Sequence, residues 1–258
     1  MPFAVRRQPI AMSSGITPPS YAQTEANTDY AGADELWANE KYLKRYNADV
    51  VRMLSQHLKG ASAVLEFGAG IGTLATLWHS TTKVRPECLE IDRTLRQTLV
   101  ERGFHCYETI ESIQKTFDGI YTSNVLEHVG DDVAALKQLH SKLRPGSSIA
   151  IFVPAFTCLY SEFDSSIGHY RRYGKRELLN KLKLAQFEVL TCHFVDSIGF
   201  FAWLSLKLRR HQAEQRLGSG RSLRIYDKYI YPISKILDAL GLKHVLGKNL
   251  LVVAMKVS

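Results

Sequence analysis

The stretch Val64-Leu65-Glu66-Phe67-Gly68-Ala69-Gly70-Ile71-Gly72 decides the fold of this chain of 258 residues. An apolar run typical of a strand leads into a loop with three glycines, and a helical pattern begins at Thr73. Glycines let the backbone turn sharply and approach a ligand, and the start of a helix offers unpaired N–H groups. The spacing predicts a nucleotide-type site, although a dinucleotide fingerprint would place its third glycine where Thr73 stands.

A second strand is predicted at Glu87–Ile91, and its end carries two acids, Glu90 and Asp92. An acid at this position accepts hydrogen bonds from ribose hydroxyls. Glu90 lies where the strand ends, whereas Asp92 is better placed as the N-cap of the helix that begins at Thr94. The alternative is that the glycine loop is only a tight strand-to-helix turn, and the acid in this register counts against it.

Short apolar runs alternate with amphipathic stretches along the rest of the chain, which predicts an α/β fold with a doubly wound, Rossmann-like sheet. The predicted strands are Ala63–Phe67, Glu87–Ile91, Phe104–Tyr107, Gly119–Ser123, Ser148–Val153, Phe187–Phe194 and Asn249–Val257. The predicted helices between them are Thr73–Ser80, Thr94–Arg102, Asp131–Leu143 and Arg176–Leu184.

Segments that do not follow this alternation of strands and helices define the expected domain organisation. Residues 1–33 are expected to form a flexible tail, and residues 34–258 one domain that begins with a cap helix at Asp34–Leu58. Two insertions, 155–175 and 196–248, interrupt the pattern and are expected to be lids or binding elements.

Composition excludes several classes of protein. With 45% hydrophobic and 22% charged residues, the chain is neither disordered nor collagen-like, and it lacks an apolar run long enough to span a membrane. Its four cysteines are scattered singly, which indicates a reducing, cytoplasmic setting. The net charge of +8 favours anionic partners, but no basic-aromatic repeat points to nucleic acid.

Four segments together make the sequence similar to the class I S-adenosylmethionine-dependent methyltransferases, in a bacterial branch that acts on small molecules. They are the glycine stretch quoted above, Leu89-Glu90-Ile91-Asp92, Phe117-Asp118-Gly119-Ile120 and Ser123-Asn124-Val125-Leu126-Glu127-His128-Val129. The resemblance runs from about Trp37 to Val257 and implies a sheet of seven strands with the last one antiparallel. It also implies S-adenosylmethionine as the cofactor.

The resemblance assigns roles to individual residues of the cofactor site. Gly68, Ala69 and Gly70 would line the methionine and ribose portions, and Glu90 would hold the ribose hydroxyls. Glu66 would help to order the loop and the amino group of the cofactor. Gly72, Ile91 and Asn124 complete the predicted cofactor site.

Methyl transfer from a sulfonium requires mainly alignment of the acceptor and exclusion of water, with a base only if the acceptor keeps its proton. His128 is a candidate base, and a purely structural role for it is the alternative. Relatives that bind a metal use a Glu-x-x-Glu-His pattern, in which Asn124 replaces the first carboxylate here. We therefore expect no metal.

The cluster Gly168-His169-Tyr170-Arg171-Arg172-Tyr173 in the first insertion resembles a segment beside the cofactor mouth in the same branch. His169 and Tyr170 are candidates to orient an acceptor hydroxyl, and Arg171 and Arg172 to clamp an acceptor anion. Trp37 of the cap helix is a further candidate for substrate binding. A solvated basic turn is the alternative for the cluster.

The expected activity is methyl transfer to a small-molecule or lipid-like acceptor, at oxygen. A non-catalytic binding module and a nicotinamide-dependent oxidoreductase are the alternatives. The second insertion is expected to be a lid over the domain. A peripheral contact with an anionic membrane, or a dimer contact, is the alternative for its apolar and basic residues Phe200, Phe201, Trp203, Leu204, Leu208, Arg209 and Arg210. The sequence leaves the acceptor and the oligomeric state open.

Overall fold

The computed structural model describes residues 30–208 and 220–257, and its centre is a sheet of seven strands in the order β3-β2-β1-β4-β5-β7-β6. All neighbouring pairs from β3 to β5 are parallel, whereas β7 runs antiparallel to both β5 and β6. The strands are β1 (Val64–Phe67), β2 (Glu87–Leu89), β3 (Cys106–Tyr107), β4 (Phe117–Ser123), β5 (Leu143–Pro154), β6 (Phe187–Val195) and β7 (Asn249–Lys256). The predicted fold class, including the antiparallel last strand, is confirmed.

Helices cover both faces of this sheet. They are α1 (Ala33–Tyr42), α2 (Lys44–His57), α3 (Thr73–Thr82), α4 (Arg93–Glu101), α5 (Asp132–Lys142), α6 (Glu162–Ser166), α7 (Lys175–Leu184), α8 (Ser197–Leu208), α9 (Gly220–Ile225) and α10 (Tyr231–Ala239). A π-helical turn, Tyr226–Ile230, joins α9 to α10. Because both faces are covered, β5 and β7 are apolar and buried without alternation over Ile149–Val153 and Leu250–Ala254.

The cap helix predicted over Asp34–Leu58 as one element is two helices, which is a correction. The break lies at Leu43, whose backbone leaves the helical region and whose side chain is buried in the core. The break lets α2 bury Val50, Val51 and Leu54 against the sheet while α1 takes a different direction. A continuous helical pattern in the sequence does not reveal such a change of direction.

The two insertions pack against each other and against the end of the sheet. Trp203 of α8 donates from its indole Nε1 to the carbonyl of Leu159 at 3.2 Å, and its ring lies 5.5 Å from that of Phe163. Asp238 of α10 accepts from the backbone N–H groups of Asp196 and Ser197. Among the helices within residues 30–208 and 220–257, none is long and apolar enough to cross a bilayer.

Candidate active site

A cavity of about 440 Å³ opens at the carboxyl ends of the parallel strands, where ligands bind in open α/β sheets. Its walls come from the glycine loop after β1, the ends of β2 and β4, the helix α1 and both insertions. Of the predicted cofactor residues, those that line it are Glu66, Gly68, Ala69, Gly70, Glu90, Ile91 and Asn124. These residues form what we term the cofactor end of the cavity.

The glycine loop holds a conformation that larger residues would resist. Gly68 has a φ of +74°, and a Cβ added there would lie 2.4 Å from the side chain of Val125. The N–H groups of Gly68 and Ala69 donate to the carbonyl of Leu89, which fixes the loop on the neighbouring strand β2. Gly72, by contrast, lies outside the cavity lining and is the N-cap of α3. The loop therefore presents bare backbone to the cavity.

Glu90 connects the loop to the end of β2. One carboxylate oxygen accepts from Gly70 N–H at 2.8 Å, and the other accepts from Asp92 N–H at 3.0 Å. Burial raises the pKa of this carboxyl above its ordinary value, while the two N–H donors act against that shift. Asp92 itself accepts from Leu95 N–H at 2.9 Å, so its predicted role as an N-cap is confirmed. Glu90 has both the position and the remaining lone pairs to accept from ribose hydroxyls.

Glu66 lies beneath the loop and is almost fully buried. The hydroxyl of Tyr121 donates to its carboxyl at 2.8 Å, and the ring of Tyr121 stacks on Trp78. Burial raises the pKa of Glu66 to about 8, so the group is largely protonated at neutral pH without a ligand. A cationic amino group in the cavity would stabilise the ionised form.

A second group of side chains, which we term the imidazole cluster, consists of Glu127, His128 and His169. Glu127 and His128 follow β4 in a short 3-10 turn, and His169 comes from the first insertion. The two imidazole rings meet edge to face with their centres 4.5 Å apart, and both line the cavity. The fold thus brings together residues that are about forty positions apart in the sequence.

Each imidazole is held by a hydrogen-bond partner. His169 Nδ1 lies 3.0 Å from Asp164 Oδ1, and His128 Nε2 lies 3.2 Å from the hydroxyl of Tyr30. Burial, reinforced by the neighbouring His169, lowers the pKa of His128 to about 4. His128 is therefore neutral at physiological pH and keeps a lone pair for a hydroxyl proton.

Glu127 is fully buried, and neither of its carboxyl oxygens has a hydrogen-bond partner within the described residues. Burial raises its pKa to about 8. One oxygen lies 3.8 Å from His169 Nε2. The three cluster residues offer one carboxylate and two imidazoles within 4.8 Å of one another, a donor set that first-row divalent ions accept. The expectation that no metal binds stays a prediction.

The basic cluster of the first insertion divides into residues inside and outside the cavity. Arg172 lines the cavity, is 3% exposed, and pairs with Asp164 at 2.8 Å under the ring of Trp203. Arg171 lies outside the lining and pairs with Asp132, and the side chain of Tyr170 is 66% exposed. Neighbouring residues of the cluster therefore differ in burial, from the exposed Tyr170 to the buried Arg172.

Trp37 and the N-terminal tail are the remaining predicted elements near the cavity. Trp37 lies outside the lining and packs beside Arg102, since α1 turns its other side to the cavity. Residues 1–29 of the expected tail lie outside the described residues, whereas Tyr30 lines the cavity through its contact with His128. Sequence reasoning missed Tyr30, Asp164 and Trp203 as cavity residues, because no periodicity marks a contact between separate loops.

The fold and this site define a class of protein: a Rossmann-like α/β fold with a glycine loop and a buried acid at the carboxyl ends of its strands, which is where nucleotides bind in such folds. A family model described as a methyltransferase domain matches residues 39–192. The chain therefore belongs to this methyltransferase family. The predicted enzyme class and the cofactor S-adenosylmethionine are confirmed, and the two alternative functions are set aside.

Solved structures show the same fold at low sequence identity. An S-adenosylmethionine-dependent methyltransferase from Archaeoglobus fulgidus is 18% identical, with a TM-score of 0.60 over 86% of this chain and 99% of that one. A putative sarcosine dimethylglycine methyltransferase from Galdieria sulphuraria is 13% identical, with a TM-score of 0.58 over 87% and 98%. A phosphoethanolamine N-methyltransferase from Haemonchus contortus is 15% identical, with a TM-score of 0.55 over 81% and 53%. A comparison with curated protein sequences gave no match.

Proposed function

We propose that this enzyme methylates an oxygen of a small-molecule or lipid-like acceptor that binds against His128. The observation that carries the proposal is the pair of imidazoles in the cavity wall, of which His128 is neutral and already contacts a hydroxyl, that of Tyr30. A neutral imidazole accepts an O–H hydrogen bond, whereas an amine cation would be better received by an ionised carboxylate.

The cofactor fits the observed site, because the bare backbone of Gly68 and Gly70 and the acceptor oxygens of Glu90 match a ribose and its neighbours. When bound, S-adenosylmethionine would supply a methyl group on a sulfonium, from which a neutral thioether leaves readily. Glu90 would accept from the ribose hydroxyls, and Glu66 and Asn124 would face the methionine portion. These assignments follow the lining of the cofactor end.

The residues of the cavity would hold the acceptor oxygen in line with the methyl group that the cofactor would supply. His128 Nε2 would hold the acceptor proton during alignment and receive it afterwards. Its lowered pKa makes it a weak base, so it would take the proton as the C–O bond forms and the oxygen becomes acidic. His169, fixed by Asp164, would orient the acceptor from the neighbouring wall. Trp203 and Arg172 would exclude water and bind a polar group of the acceptor.

Three residues predicted to bind or orient the acceptor lie outside the cavity, so their proposed roles require these side chains to move. Tyr170 and Arg171 would reach an acceptor that extends from the mouth, and Trp37 would contact it from α1. The proposal also includes a cytoplasmic enzyme of the bacterial branch, in contact with a membrane surface. All four cysteines are free thiols, which supports a reducing compartment.

Calorimetric titration with S-adenosylhomocysteine, followed by an acceptor screen, tests the proposal. Each candidate alcohol or phenol would be paired with the amine of the same skeleton, and release of S-adenosylhomocysteine would be measured. We expect turnover with hydroxyl compounds and little with the matched amines. Preference for the amines across the panel would contradict methylation at oxygen, and failure to bind the nucleoside would contradict the assigned site.

A further inference from the structure

The segment from Gly220 to Lys243 exposes a row of large apolar side chains along one side. They recur at intervals of four, four, three and four residues, as expected for one face of a helix, and each is at least 46% exposed. We term this row the apolar stripe: Ile225, Tyr229, Ile233, Ile236 and Leu240. A contiguous exposed stripe of this kind marks an interaction surface.

The same segment is packed on its other side, so the stripe is not a core face left without its partner. Tyr231 and Ser234 are buried, and the ring of Tyr231 packs on that of Tyr46 from α2. Asp238 holds the two N–H groups at the start of α8, at 2.8 and 3.2 Å. The helix is therefore fixed with its stripe facing outward.

The acidic and basic side chains of the segment lie on different sides. Its two acids point inward: Asp227 is buried and accepts from the backbone of Arg45 and Tyr46, and Asp238 caps α8. Its basic side chains in the same stretch are exposed or half-buried, namely Arg221, Arg224, Lys228, Lys235 and Lys243. Lys235 pairs with Asp49 of α2, whereas Arg221, Arg224 and Lys228 make no ion pair within the described residues.

From this arrangement we infer that the apolar stripe docks on the surface of an anionic lipid bilayer. An interfacial helix combines apolar residues that enter the boundary between headgroups and acyl chains with basic residues that contact acidic headgroups. A second copy of this chain fits less well, because pairing two stripes would bring like charges together. We place the contact at the surface of the bilayer; within residues 30–208 and 220–257, no helix is long and apolar enough to cross it.

The docked segment is also a wall of the active-site cavity. Leu223 of α9 and Trp203 of α8 line the cavity, while the apolar stripe lies on the outer side of the same helical segment. This inference rests on the proposed function in one respect, since it gives a lipid-like acceptor a short route from the bilayer. It replaces the predicted membrane contact through Trp203, because that side chain packs inward.

Co-sedimentation of the full chain with vesicles tests the inference without methyl transfer. Vesicles of phosphatidylcholine mixed with phosphatidylglycerol would be compared with phosphatidylcholine alone, at low and high salt. We expect binding only to the mixed vesicles, weakened by salt. The double variant Ile233→Ser/Ile236→Ser should bind at least about tenfold more weakly, since two apolar anchors are lost. The charge variant Arg221→Glu/Lys228→Glu should lose the preference for phosphatidylglycerol.

Leu190→Ser and Val100→Ser serve as matched controls, because both residues are exposed to a similar degree on other surfaces. They should bind vesicles as the unmodified chain does, and binding of S-adenosylhomocysteine checks that every variant folds. Stripe variants that sediment like the unmodified chain, or no sedimentation at all, would overturn the inference. If the unmodified chain is a dimer and the stripe variants are monomers, the stripe is a contact between two copies of the chain and the inference is wrong. Turnover of a water-soluble acceptor reports separately on the proposed function.

Discussion

The two ends of the cavity are built in different ways. At the cofactor end, the glycine loop and the two acids Glu66 and Glu90 lie within 30 residues of sequence, and hydrogen bonds such as that from Gly70 N–H to Glu90 tie the loop to the end of β2. In the imidazole cluster, side chains from separate segments meet, and the buried Glu127 lacks a hydrogen-bond partner within the described residues. The first arrangement is ready for one ligand, whereas the second leaves polar groups for a ligand to satisfy.

The largest effect is expected from removing the proton acceptor of the imidazole cluster. We expect His128→Gln to lower kcat about 100-fold or more, in line with the loss of general base catalysis. The affinity for S-adenosylhomocysteine, measured by calorimetry, should stay unchanged. A parallel loss of nucleoside binding would show that the two ends are not separate, and an unchanged kcat would leave His128 a structural role.

At the cofactor end, Glu90→Ala should weaken binding of S-adenosylhomocysteine about 100-fold. The estimate reflects the loss of about two charged hydrogen bonds of roughly 1.5 kcal/mol each. The same variant releases the N–H groups of Gly70 and Asp92, so the loop loses its order too. Glu108→Ala is a matched control, because Glu108 is exposed beside the same strand end. Equal titration curves for the Glu90 variant and the control would contradict the assigned role.

Arg171 and Arg172 test whether acceptor binding depends on residues that line the cavity or on residues outside it. Arg172→Lys keeps the charge but loses the fork that holds Asp164, and we expect acceptor kcat/KM to fall about tenfold. Because Arg171 lies outside the cavity lining, Arg171→Lys should lower kcat/KM less than Arg172→Lys does. The sequence alone assigned both residues to the acceptor, so equal losses of kcat/KM would favour the sequence-based prediction over the geometry.

The uncharged state of Glu127 predicts a pH dependence of stability. Its folded pKa of about 8 exceeds the ordinary value of 4.5, so the stability that it contributes is present below about pH 4.5 and is lost as pH rises towards 8. Unfolding by denaturant should therefore show the unmodified chain losing about 1 kcal/mol or more relative to Glu127→Gln between these limits. A constant difference between the two chains would mean that Glu127 is ionised in the folded state.

The smallest effect is expected from metal ions. Elemental analysis of the purified enzyme should find no stoichiometric metal, and adding magnesium, manganese or zinc should leave the unfolding temperature unchanged. A stoichiometric ion that is lost in Glu127→Gln would contradict this prediction and would supply the partner of the buried carboxylate.

The sequence predicted the parts of the molecule that depend on local pattern. The glycine loop, Glu90 and the seven strands follow from residues that are neighbours in sequence, and small shifts such as β5 beginning at Leu143 change only the ends. The break at Leu43, the meeting of His128 with His169 and the inward turn of Arg172 depend on contacts between distant segments. Periodicity carries no signal for such contacts.

The hydrogen bond between Tyr30 and His128 makes acceptor binding an exchange. The Tyr30 hydroxyl lies on the same Nε2 atom that an acceptor hydroxyl would use, so each incoming acceptor must displace this phenol. The backbone N–H of Tyr30 meanwhile donates to Asp92, two residues beyond Glu90 at the cofactor end. The displaced ring would thus stay tethered beside the cavity and return after the product leaves, and the measured acceptor affinity would be a difference between two hydroxyls competing for one nitrogen.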